Sequence, residues 1–176
     1  MDILESYKEA IALNPNYGEP YKNIGIIYYS TEKFDEAITS LHKTIQLGII
    51  DSEVYYYLGL CYDAVFSIEE AVKHYKRALE LPVGNKIKAE ICYRIALIHF
   101  DTEVTEEALV YFEKAIEYNP EHIDALKELA FIYYQKGQIE KSLTIYNQVL
   151  NLVSDPSDKS DILTGISLCY FAKNIS

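Results

Sequence analysis

The stretch Tyr21-Lys22-Asn23-Ile24-Gly25-Ile26-Ile27-Tyr28 returns 34 residues later as Tyr55-Tyr56-Tyr57-Leu58-Gly59-Leu60-Cys61-Tyr62. Each copy is followed, at one spacing, by a second short match, Glu36-Ala37-Ile38 and Glu70-Ala71-Val72. A period of 34 residues belongs to stacked helical hairpins and sets this chain apart from an ordinary compact bundle. Carried forward, the small residue gives the column Gly25, Gly59, Ala96, Ala130 and Ser167; a second small column runs Ala37, Ala71, Ala108 and Ser142. Both step by 34, 37 and 34 residues, and the first adds a further 37. The three extra residues of each long step are expected in the connections Leu81 to Lys86 and Val153 to Lys159. Helices packed at about 8–10 Å leave no room for large side chains where their backbones come nearest, so small columns mark helix–helix contacts.

Helix ends are written in the chain as well. Asn14-Pro15 and Asn119-Pro120 stop the helices before them, because the residue preceding proline is pushed out of the α region. Asp51-Ser52-Glu53 and Thr105-Glu106-Glu107 offer a capping oxygen followed by acidic first-turn residues that suit the positive end of a helix dipole. Between these stops the pattern predicts helices near 2–13, 18–31, 34–48, 52–65, 68–81, 86–101, 105–118, 122–136, 139–152 and 159–173, with no competing strand pattern. Apolar residues at 49% and charged residues at 24% are ordinary for a soluble globular chain of 176 residues, and only 7 Gly and 5 Pro leave little room for long loops. No apolar run approaches the ~18 residues of a membrane span, and no basic amino-terminal segment reads as a secretory signal. Cys61, Cys92 and Cys169 make an odd, unpaired set inside predicted helices, which points to a reducing, cytoplasmic setting without disulfides.

At these positions the chain resembles the tetratricopeptide repeat family, whose pattern runs large residue, leucine, glycine, tyrosine, then alanine, aromatic, alanine and a closing proline. The first full copy holds Tyr21, Ile24, Gly25, Tyr28, Ala37, Leu41, Thr44 and Ile49, and the second holds Tyr55, Leu58, Gly59, Tyr62, Ala71, Tyr75, Ala78 and Val83. The third holds Cys92, Ile95, Ala96, His99, Ala108, Phe112, Ala115 and Pro120, and the fourth Leu126, Leu129, Ala130, Tyr133, Ser142, Tyr146, Val149 and Ser154. The resemblance implies an all-α fold, a right-handed superhelical solenoid of antiparallel helix pairs. It divides the chain into a half repeat 1–17, repeats 18–51, 52–88, 89–122 and 123–159, and a half repeat 160–176, expected to be part of a longer array.

The resemblance also says which side chains of each first helix project into the concave groove. One column is Ile26, Leu60, Leu97, Phe131 and Leu168, where many relatives carry a polar residue. One turn earlier lie Lys22, Tyr56, Tyr93, Lys127 and Thr164; three residues later lie Tyr29, Asp63, Phe100, Tyr134 and Phe171. The expected groove is thus apolar and aromatic, with charges including Arg94 at its margins, suited to an apolar segment or an amphipathic helix of a protein partner. Aromatic stripes at helical spacing are as often core as binding surface, so any single residue of the set has a packing explanation beside the functional one.

Other functions are excluded on specific residues. Relatives that hold acidic chaperone tails use a lysine, asparagine and arginine clamp; here Lys22 and Arg94 match it, but Ile26, Tyr57 and Glu90 do not. A glutamate in that place repels a carboxylate. The net charge of −11 argues against nucleic acid, which needs a basic track. His42, His74, His99 and His122 share no ligand spacing, and neither a nucleophile motif nor a phosphate-cradling loop is present, so no catalysis, metal or cofactor is expected. The acidic column Glu19, Glu53, Glu90, Asp124 and Asp161 complements helix dipoles; its functional alternative is a rim that steers a basic partner.

The expected function is therefore a non-catalytic protein-interaction scaffold. Two alternatives are a substrate-recruiting region of a larger enzyme and a small secretion-type chaperone for hydrophobic clients. The last helix, with Ile162, Leu163, Ile166, Leu168, Cys169, Tyr170 and Phe171, is apolar on too many sides to stand in water. The expectation is a piece cut from a longer array, or a homo-dimer through uncapped terminal helices.

Overall fold

The computed structural model describes residues 2–103 and 105–175. Among them are ten α-helices and no strand: α1 Ile3–Leu13, α2 Gly18–Ser30, α3 Phe34–Gln46, α4 Ser52–Ala64, α5 Ile68–Leu79, α6 Asn85–Asp101, α7 Thr105–Tyr118, α8 Ile123–Gln135, α9 Ile139–Leu152 and α10 Pro156–Ile175. The chain divides into two compact units, Met1–Val83 and Gly84–Ser176. Within the first, α1, α2, α3, α4 and α5 pack each on the next; within the second, α6 to α10 do the same. The all-α fold of antiparallel helix pairs expected from the repeat is the fold observed.

The small columns do what packing requires of them. A Cβ on Gly59 would lie 2.4 Å from the Tyr75 ring, so α4 approaches α5 closely only because the side chain is absent. Ala37, Leu41, Val54, Leu58 and Cys61 contribute to the core of the first unit, and Leu126, Ala130, Tyr146, Val149, Ile162 and Cys169 to that of the second. Each leucine, isoleucine or valine among them contributes roughly 1.5–3 kcal/mol on burial, the alanines less. In the last helix the expected small residue, Ser167, is exposed, whereas Gly165 sits against Tyr146 with an added Cβ 2.6 Å from the ring.

One feature departs from expectation and a second adds to it. The three extra residues of each long step lengthen helices instead of loops: α6 has 17 residues and α10 has 20, against 13 in each of α2, α4 and α8. At α10 the reason is local, since Asp155 accepts the Ser157 N–H at 2.8 Å and Pro156 supplies a preset φ at the first helical position. The second feature is a left-handed residue at each turn within a hairpin, at Glu32, Phe66, Glu103 and Gly137. These follow the same 34, 37, 34 spacing, and the paired bonds Ser67 N–H to Tyr62 O and Phe66 N–H to Asp63 O close the preceding helix. Three of the four are not glycine, so about 1–2 kcal/mol of backbone cost is carried at each. Of the predicted caps, Asp51 accepts the Val54 N–H at 2.8 Å as expected; α7 starts on Thr105 itself, and its neighbour Val104 lies outside the described residues.

Candidate functional site

In the first unit the first-helix face belongs to α2 and α4. Lys22, expected as a groove cation, is 13% exposed and reaches Asp51 Oδ2 at 2.8 Å and Glu53 Oε2 at 2.6 Å. Burial works against its charge, but the bonds to both carboxylates outweigh it and hold its pKa above the ordinary lysine value. Leu60 is buried, at 6% exposure, and Ile26 is half-buried. Tyr29 meets Phe34 at 6.0 Å and Tyr57 edge-on at 5.5 Å; Tyr56 meets Tyr57 at 5.7 Å and Tyr75 at 6.2 Å. Asp63 is half-buried. Most of the predicted side chains here are thus engaged in holding α2, α4 and α5 together.

Behind that face lies an aromatic stack that sequence spacing did not reveal. The His74 ring lies parallel to Tyr62 at 5.2 Å and stacks on Tyr55 at 5.9 Å, with His42 edge-on at 5.8 Å. His42 Nε2 and the Tyr62 hydroxyl are 3.0 Å apart. Burial drives the His74 pKa down to about 4, aided by His42, and lowers that of His42 as well. Both imidazoles are therefore neutral, structural groups at neutral pH.

The second unit presents α6, α8 and α10. Tyr93 packs on Phe112 at 6.0 Å and on His122 at 4.9 Å, and burial pushes its pKa up to about 12. His122 Nδ1 accepts the Ala125 N–H at 3.3 Å, capping α8, which leaves Nε2 to donate toward Glu90, 3.4 Å away. The His122 bond, joined by Arg94 Nε donating to the same carboxylate at 2.8 Å, holds Glu90 below its usual range against the opposing effect of burial. Leu97, Phe100, Lys127 and Tyr134 are half-buried, whereas Phe131 is 40% and Leu168 47% exposed. Between Lys127 and Phe131 stands Glu128, a half-buried carboxylate whose pKa is raised by desolvation, with Asp124 and Asp101 adding to the rise and Lys127 opposing it. Glu128 falls between the groove columns that the repeat pattern marks.

The acidic column resolves into individuals. Glu53 is held by Lys22 and Glu90 by Arg94 and His122, while Asp124 is exposed and in no ion pair among the described residues. Cys61 and Cys92 are buried thiols with pKa values pushed up to about 12 and about 11 by desolvation, and Cys169 is buried too. Two hollows lie off the predicted groove: one of about 620 Å³ lined by Tyr55, Lys73, His74 and Arg77, and one of about 280 Å³ lined by Ile116, Leu129, Tyr133 and Ile145. No group of three or more metal-ligating side chains and no membrane-length apolar helix occurs among the described residues.

Models of the tetratricopeptide repeat match residues 52–82 and 100–158, together just over half of the chain, and a model described as Est1 DNA/RNA binding domain matches residues 4–44. The chain is 25% identical over 170 residues to the BBSome complex member BBS4 of Bos taurus, covering 97% of this chain and 31% of that protein. It thus spans under a third of that relative's length. Among solved structures, MamA superposes with a TM-score of 0.75 at 24% identity, over 86% of this chain and 95% of MamA. YrrB, described as a TPR protein with an unusual peptide-binding site, gives 0.68 at 24% identity, over 97% of this chain and 81% of YrrB. At these identities the structural likeness establishes the fold.

Proposed function

This chain belongs to the tetratricopeptide repeat family, and on that premise we propose that it is a non-catalytic scaffold whose second unit takes an apolar or amphipathic segment of a partner protein. The segment lies along the face of α6, α8 and α10. One observation carries the reading: in the column where Leu60 is 6% exposed, Phe131 and Leu168 are 40% and 47% exposed. Large apolar side chains left in solvent on a face otherwise bounded by polar groups are what a partner's apolar residues bury. The groove residues assigned from the sequence are therefore unequal: Leu97, Phe100, Phe131 and Tyr134 form the contact, with Tyr93, Arg94 and Lys127 at its edge. Lys22, Ile26, Tyr29, Tyr56, Leu60 and Asp63 serve the packing of the first unit.

A protein partner fits better than nucleic acid. Residues 4–44, matched by the Est1 model, hold six acidic against four basic side chains; Lys8 is paired with Glu5, and Lys22 with Asp51 and Glu53. The YrrB description supports a peptide as the bound form without naming one for this chain. The division into repeats 18–51, 52–88, 89–122 and 123–159 is part of this proposal, as is self-association through Leu163, Tyr170 and Phe171, which are exposed on α10.

Three short fluorescein-labelled peptides, alternating leucine with lysine, with glutamate or with serine, test the reading by anisotropy. At least one binds saturably, and Phe131→Ser weakens it about tenfold or more while helix content by circular dichroism is unchanged. Absence of binding by all three, or indifference to Phe131→Ser, contradicts it.

A further inference from the structure

The charges around Phe131 narrow the partner further. The ion pairs of the second unit join Arg94 and His122 to Glu90, Lys136 to Glu106 and Lys173 to Glu140; among the described residues none includes Asp101, Asp124 or Glu128. Both aspartates disfavour the charge on Glu128 and its chain neighbour Lys127 favours it, while Arg94, which acts on the nearby Tyr93, is engaged with Glu90. Tyr93 from α6 and Tyr146 from α9 also feel the Glu128 charge, so the carboxylate is faced by aromatic rings and like charges on the elements around it. A carboxylate half withdrawn from water and in no ion pair among the described residues is costly, and a cation brought by a ligand relieves that cost. Glu128 and Phe131 are three residues apart on α8, about 5–6 Å between their Cβ atoms, on the same helical face.

Resting on the function proposed above, we infer that the partner segment pairs a lysine or arginine with an adjacent apolar side chain, the cation seated at Glu128 and the apolar group on Phe131. Asp124 and Asp101, both exposed, add attraction for further basic residues at the margin. The first unit provides the contrast: there the carboxylates Asp51 and Glu53 already hold Lys22 from the same chain. In the second unit the corresponding cation comes from outside.

The three leucine peptides decide it on the full chain at physiological ionic strength. The leucine–lysine peptide binds about tenfold more tightly than the other two, and Glu128→Gln removes that advantage while leaving the leucine–serine peptide where it was. Glu128→Lys shifts the preference toward the leucine–glutamate peptide. Glu117→Gln, an exposed change on α7, alters neither. The inference is overturned if Glu128→Gln leaves leucine–lysine affinity unchanged, if Glu117→Gln weakens it equally, or if the serine peptide binds as tightly as the lysine one. In that last case a continuing dependence on Phe131 keeps the apolar-groove reading and removes only the cation. If no peptide binds, both fall.

Discussion

The two units are built alike inside and differ on their faces. In the first, Lys22 is clasped by Asp51 and Glu53, Leu60 is buried and Tyr29 packs on Tyr57, so the face is neutralised and filled by its own residues. In the second, Glu90 is clasped in the same manner by Arg94 and His122, yet Phe131 stands exposed beside a carboxylate that has no such clasp. Repetition of the interior constrains the small and large residues between helices and leaves the surface positions between them free to diverge. Function is to be looked for where the divergence leaves apolar area and charge unmatched.

The contrast can be broken first at the small column. Gly59→Val places a branched side chain against Tyr75 and costs about 3 kcal/mol or more in urea unfolding, while Ser167→Val, on an exposed position of the same column, costs under about 0.5 kcal/mol. Equal effects would mean that α10 is covered in solution as α4 is.

Acid separates the units next. His74 has its folded pKa lowered, so the unfolded state takes up the proton first, and stability is lost as pH falls from about 6.5 toward about 4. Glu128 has its folded pKa raised, so the folded state takes up the proton first and stability is gained as pH falls toward 4.5. Thermal unfolding of the native chain therefore loses on the order of 2 kcal/mol between pH 7 and pH 4, and His74→Phe flattens the profile. In Glu128→Gln the loss becomes larger, because the opposing gain is gone. A profile unchanged by His74→Phe refutes the neutral-histidine stack.

The smallest difference is at the paired lysines. Lys22→Met strands Asp51 and Glu53 and costs about 1 kcal/mol, since both carboxylates remain partly solvated; Lys127→Met costs close to nothing. Matching losses would show that the second face is as tightly knit as the first.

Much of this architecture was legible in the sequence, because packing imposes period. The column Gly25, Gly59, Ala96, Ala130 follows from helices that must touch, and the proline and cap signals bounded the helices to within a few residues. What escaped was set by other physics. Asp155-Pro156 reads as loop until its capping bond is seen, and Phe66 and Glu103 adopt a left-handed backbone that their identities do not announce. The pairing of Lys22 was hidden because its partners come 29 residues and more later in the chain, at the start of the next repeat. Glu128 falls between the groove columns, and its lack of an ion pair among the described residues is visible only from its neighbours in space.

The most direct measurement is an amide ¹H–¹⁵N correlation spectrum of the full chain titrated with the leucine–lysine peptide. Saturable shifts concentrated between residues 93 and 134 and around Leu168 on α10, centred on Glu128 and Phe131 and sparing Lys22 to Asp63, are the predicted result. Shifts centred on α2 and α4, or a spectrum that does not move, would contradict the assignment of the partner surface to the second unit.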